Sequence, residues 1–167
     1  GIISMGIKPG EHVGLCALNS SDWIAFYFGV LKAGAVAVTY SSLLSKDELA
    51  LLVDHSRPRV MFTTDDKLST LDSLRGSAGL EKIICQNGDV TMGQLIGSGT
   101  EHFRAADRNR TDTAAILYTG GTTGIPKRIL IGSERGELAS TQDETAWNSR
   151  VEEYQTDYCE PFLVRPF

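Results

Sequence analysis

The chain has 167 residues, 41% of them hydrophobic and 22% charged, with a net charge of −5. A chain of this length forms one domain or a little more and buries about 70% of its unfolded surface. Nothing in the acidic balance predicts nucleic-acid binding, which usually shows a basic stripe, and no run of about 18 apolar residues marks a membrane span.

The three cysteines, Cys16, Cys85 and Cys159, are far apart and form no CxxC pair. That speaks against a zinc ribbon or a thioredoxin-type site. Cys16 and Cys85 lie in apolar runs and read as buried, inert thiols. No charged segment leading into an apolar core opens the chain, so no signal peptide is read and a reducing, cytoplasmic setting is expected. The first residue is Gly1 rather than methionine, and a partial chain is expected.

"GIISMG" reads as the tail of a helix closed by Gly6, a C-cap glycine. After the Pro-Gly turn of "IKPGE", "HVGLCAL" (12–18) reads as a buried strand. "NSSDW" offers N-cap residues for "WIAFYFGVLKAGA" (23–35). That segment is apolar almost all round and predicts a largely buried helix. "VAVTY" (36–40) is β-branched and predicts a strand. In "SKDELALLVDHS" (45–56), Ser45 and Glu48 have capping-box spacing, and Leu49, Leu51, Leu52 and Val53 supply an apolar face. "RVMFTT" (59–64) and "EKIICQ" (81–86) predict strands on either side of a short helix in "KLSTLDSLRG" (67–76). Thr91 to Ile96 predicts a helical turn.

Strand and helix thus alternate at short spacing. The pattern predicts an α/β fold, a mainly parallel sheet flanked by helices with right-handed crossovers. Residues 97–112 are polar and aperiodic and read as a connection. Residues 133–153 are helix-permissive with a thin apolar face, and the charges there read as a solvated helix face.

"ILYTGGTTGIPKRILI" (116–131) sets two β-prone runs around three glycines, three threonines, a proline and a lysine. Each glycine costs roughly 0.5–1 kcal/mol of extra conformational entropy against alanine. A structural turn is one reading, but a plain hairpin needs only one or two glycines. The other reading is an anion nest, in which side-chain-free amides approach a phosphate closely. Hydroxyls of Thr119, Thr122 and Thr123 add donors, and Lys127 adds positive charge. Charge-assisted hydrogen bonds of about 1.5–3 kcal/mol each would offset the glycine cost. Neither the Walker spacing nor G-x-G-x-x-G is matched. Ile125 precedes a proline and is pushed toward extended geometry, so strand–loop–strand is expected rather than strand–loop–helix.

"YTGGTTGIPK" resembles the signature loop of the adenylate-forming superfamily, which includes acyl-CoA synthetases, peptide-synthetase adenylation domains and luciferase-type enzymes. Tyr118, Thr119, Gly120, Gly121, Thr122, Thr123, Gly124, Pro126 and Lys127 all match its pattern. "GVLKAGAVAV", followed by a Leu-Ser-x-x-Glu-Leu helix, is similar to the early part of an acyl-CoA synthetase, and the resemblance is strong over residues 5–131. Arg128 departs from it, standing where the pattern ends in glycine. "EPFLVRPF" resembles a Pro-Phe-Phe-His segment without the histidine.

The resemblance implies a partial N-terminal domain of an adenylate-forming enzyme. Residues 1–97 would form an α/β subdomain, 98–112 a polar connector, and 113–167 the phosphate-loop strands plus a helix. It implies ATP as substrate, with Thr119, Gly120, Gly121, Thr122, Thr123, Gly124 and Lys127 on its phosphates and with Thr122 and Lys127 in catalytic roles. A carboxylic acid would be the second substrate and coenzyme A the thiol acceptor. Mg2+ would be held by ligands outside this chain. The fragment is expected to be inactive alone and to self-associate through uncovered faces. The alternative is a non-catalytic α/β binding or interaction module.

Other residues carry bland readings. His12, His55 and His102 are scattered and read as surface or helix-end histidines. Ser41, Ser42 and Ser45 read as a turn and an N-cap, Asp65 and Asp66 as helix caps, and Trp23, Phe26, Tyr27 and Phe28 as core.

Overall fold

The computed structural model describes residues 1–100, 102–109, 111–119 and 127–132, with the side chains of 119 and 127–129 left aside. A 3-10 helix at Ile3–Met5 ends on Gly6, whose φ of 80° is the left-handed conformation expected of a C-cap glycine. Strand β1 (His12–Cys16) is followed by helix α1 (Ser21–Lys32) and strand β2 (Val36–Thr39). Helix α2 (Lys46–Ser56) leads to β3 (Val60–Thr63). Helices α3 (Asp65–Ser73) and α4 (Arg75–Ala78) lead to β4 (Lys82–Ile84). Helix α5 (Met92–Gly97) precedes β5 (Thr113–Thr119) and β6 (Lys127–Gly132).

The helix starts follow from local chemistry. Ser20 accepts a hydrogen bond from the Trp23 amide at the head of α1. At α2 both halves of the capping box form: Ser45 Oγ accepts from the Glu48 amide, and the Ser45 amide donates to Glu48 Oε2. The Ser45 hydroxyl, which donates to Glu48 Oε2 at 2.7 Å, and after it the Ser45 amide hold the Glu48 carboxyl below its usual range. A second capping box joins Thr91 and Gln94 at α5, a spacing the sequence analysis passed over. Helix α3 begins two residues earlier than expected. Thr64 takes the N-cap position, and Asp65 and Asp66 occupy the first turn, where carboxylates favour the helix dipole.

All the strands join one sheet in the order β4-β3-β1-β2-β5-β6. β1 pairs in parallel with β2 (His12↔Val36) and β3 (Val13↔Val60). β2 pairs in parallel with β5 (Ala37↔Ala115), and β3 with β4 (Val60↔Lys82). β6 runs antiparallel at the β5 edge. The chain moves from β1 outward to β2 and then crosses back over β1 to β3. Helices α1 and α2 consequently lie on opposite faces, as a single crossover hand requires.

One core layer gathers Val13, Leu15, Phe26, Val30, Phe62 and Leu95, and the other gathers Val38, Leu49, Val53, Met61, Leu71 and Ile83. Every residue of β3 is buried, as fits a parallel strand covered on both sides. The expectation of a largely buried α1 is corrected. Only Phe26 and Val30 are buried in it, and Ile24 and Phe28 are more than half exposed. The helix is one layer on the sheet, and among the described residues nothing covers its outer side. No helix among the described residues is long and apolar enough to cross a membrane.

Candidate functional site

The glycine-rich segment joins β5 to β6. Register pairs Tyr118 with Arg128 and Thr119 with Lys127, so the strand–loop–strand expectation holds. Thr119 closes β5 and Lys127 opens β6, facing one another at the base of the connection. Thr119 ends β5 at the carboxyl edge of the parallel strands, where open α/β sheets bind ligands. Gly120, Gly121, Thr122, Thr123 and Gly124 lie outside the described residues, as do the expected helix at 133–153 and "EPFLVRPF". Arg128 lies in ordinary strand backbone. Among the described residues Arg57 is the only non-glycine with positive φ, so position 128 needs no glycine there.

Tyr118 is held from two sides. Its ring stacks on Tyr40, with centroids 5.8 Å apart and planes 15° from parallel. Its hydroxyl shares a 2.8 Å hydrogen bond with His55 Nδ1, and the imidazole sits edge-on at 6.0 Å. Tyr40 is buried and its own hydroxyl lies 2.5 Å from Ser56 Oγ. Ser56 Oγ donates to the Leu52 carbonyl at 2.6 Å, which leaves its lone pairs to accept from Tyr40. Burial pushes the Tyr40 phenol far above its ordinary value, so it stays protonated. The sequence reads His55 as a surface or helix-end histidine; it stands in the last turn of α2, and nothing local signals its partner on β5, 63 residues away.

A second concavity, of about 350 Å3, lies beyond the carboxyl ends of β1, β3 and β4. The chain leaves β1 toward β2 and leaves β3 toward β4, so this is the switch point of the sheet. Two of its polar residues are internally engaged. Thr63 Oγ1 donates to the Cys16 carbonyl at 2.8 Å, and Asp65 accepts from the Asn87 amide and from Asn87 Nδ2. Leu18, Phe62 and Met92 supply apolar lining, and Ser20, Asp22, Thr64 and Gln86 further polar lining. Among the described residues no three histidines, cysteines or carboxylates cluster as metal ligands.

The sequence model of the AMP-binding enzymes matches residues 1–158. The chain belongs to that family. Benzoate–CoA ligase of Thauera aromatica is 27% identical over 74% of this chain and 24% of its own length. Long-chain-fatty-acid–CoA ligase FadD13 of Mycobacterium tuberculosis is 25% identical over 90% of this chain and 29% of its own. Among solved structures, the anthranilate CoA ligase AuaEII in complex with anthranoyl-AMP superposes with a TM-score of 0.76 at 31% identity, over 83% of this chain and 27% of that one. The chain thus has the mostly parallel, helix-flanked sheet of the N-terminal domain of adenylate-forming enzymes. It spans less than a third of the length of these relatives.

Proposed function

We propose that this chain carries the phosphate-binding part of an ATP-dependent acyl-CoA synthetase. The observation that carries the reading is the hairpin geometry. Antiparallel β5 and β6 bring Thr119 and Lys127 together at the carboxyl edge of the sheet, and the glycines and threonines between them in sequence are the residue types of an anion nest.

In this reading a substrate carboxylate attacks the α-phosphorus of ATP, the bond to the β-phosphate oxygen breaks, and pyrophosphate leaves. The thiol of coenzyme A then attacks the acyl carbon, and AMP departs. Amides and hydroxyls from Thr119 through Gly124 hold the β- and γ-phosphates. Thr122 and Lys127 carry the charge that builds on the leaving pyrophosphate, since such transfers depend on positioning and charge neutralisation. Bound Mg2+ would supply further neutralisation, with ligands outside this chain. A cytoplasmic setting belongs to the same reading, and the free thiols of Cys16 and Cys85 accord with reducing surroundings.

The test has two arms. ATP should bind to the chain and be lost in Gly121→Val, where a branched side chain fills the nest. ATP–pyrophosphate exchange driven by a panel of carboxylic acids should be absent from this chain alone. ATP binding indifferent to Gly121→Val would favour the non-catalytic module, and exchange by the isolated chain would overturn its inactivity.

A further inference from the structure

We propose that His55 is a positioning residue for the glycine-rich loop, acting through the hydroxyl of Tyr118. The inference rests on reading that loop as the phosphate site. Tyr118 stands two residues before Gly120 and pairs across the ladder with Arg128, so whatever fixes Tyr118 fixes both legs of the hairpin. Its hydroxyl meets His55 Nδ1 at 2.8 Å.

His55 is itself on a fixed frame. The next residue, Ser56, receives the buried Tyr40 hydroxyl through its side chain, and its carbonyl lies 2.6 Å from His12 Nδ1 on β1. The end of α2 is therefore tied to β1 and β2, and His55 extends the tie to β5. Consecutive residues of one helix hold the hydroxyls of two stacked tyrosines, one just past the end of β2 and one in β5. A ring at position 118 that only filled space would work equally well as phenylalanine. A ring held at a set height above the sheet needs both the hydroxyl and the imidazole.

The test uses the full 167-residue chain with His55→Ala, His55→Asn, Tyr118→Phe and the His55→Ala/Tyr118→Phe double variant. Hydrogen-exchange mass spectrometry follows residues 113–132 beside α3 and β4, and ATP titration measures affinity among folded molecules. Both single variants should raise exchange in 113–132 while α3 and β4 keep wild-type rates. Both should weaken ATP by about threefold to tenfold, the worth of one hydrogen bond. The double variant should be no worse than either single, and His55→Asn, which keeps a polar atom near the Nδ1 position, should restore much of the loss. Unchanged exchange in 113–132, or a uniform rise across the sheet, would overturn the positioning role. So would weakened ATP binding that His55→Asn fails to rescue. If exchange shifts as expected but wild type binds no ATP, the phosphate reading falls and the anchoring of the hairpin stands.

Discussion

Tyr40, just past the end of β2, and Tyr118, in β5, stack at 5.8 Å, one buried and one only partly so. Tyr40 belongs to the core and Tyr118 to the hairpin, so the stack couples packing to the candidate site. Tyr40→Ala removes a buried ring and should cost about 3–5 kcal/mol of stability. Tyr40→Phe keeps the ring, loses only the bond to Ser56, and should cost about 1 kcal/mol. Urea unfolding of both variants measures the difference, and equal losses would contradict the division.

Gly34 ends the turn from α1 into β2 with a φ of +75°, and a Cβ placed there would lie 2.8 Å from the Ala106 Cβ. The Ala106 amide also donates to the Lys32 carbonyl, so the connecting segment is stapled to the end of α1. Gly34→Ala combines left-handed strain with overlap and should cost about 1–3 kcal/mol. Gly97 at the end of α5 has open space around it, and Gly97→Ala should be neutral or stabilising by up to about 1 kcal/mol. Urea midpoints compare the two directly.

Arg59 joins Glu11 at 2.6 Å and Glu81 at 2.7 Å. The Lys8 amide, and after it Arg59, hold the Glu11 carboxyl below its ordinary value, and Arg59 does the same for Glu81. Both folded values are depressed. Their stabilisation is complete above the ordinary glutamate value of about 4.3 and is lost as pH falls below it through the lowered folded values. The groups are partly exposed, so the network contributes only about 1 kcal/mol. Urea midpoints measured from pH 6 down to pH 3 should fall less steeply in Arg59→Met than in wild type. Parallel curves would contradict the assignment.

Burial pushes the thiols of Cys16 and Cys85 up to about 11. Few thiolates exist near neutral pH, and both residues are buried. At pH 8 an alkylating reagent should label them at least about tenfold more slowly in native protein than in urea. Rapid native labelling of either, read by peptide mass, would show that its surroundings open readily.

Much of this architecture was legible because its signals are local. Ser45 and Glu48 announce a helix start three residues apart, and Gly6 a helix end. The exposure of Ile24 and Phe28 was not legible, because hydropathy records what a side chain prefers and not whether a second layer covers it. The strand order was not legible either, since alternation gives parallel pairing but not which neighbour each strand takes. The link from His55 to Tyr118 joins residues 63 positions apart, and no periodicity or spacing encodes it. At the candidate site the residue types were readable from the glycine-rich stretch, whereas the register that sets Thr119 opposite Lys127 came from the sheet.

The most direct measurement is calorimetric titration of ATP into the wild-type chain and into Lys127→Ala at one fixed, low ionic strength. A lysine that pairs with phosphate contributes a charge-assisted bond, so the substitution should weaken binding at least about tenfold while leaving the urea midpoint near wild type. Folded wild-type protein that takes up no ATP, or that binds it no better than Lys127→Ala, would contradict a phosphate-holding hairpin.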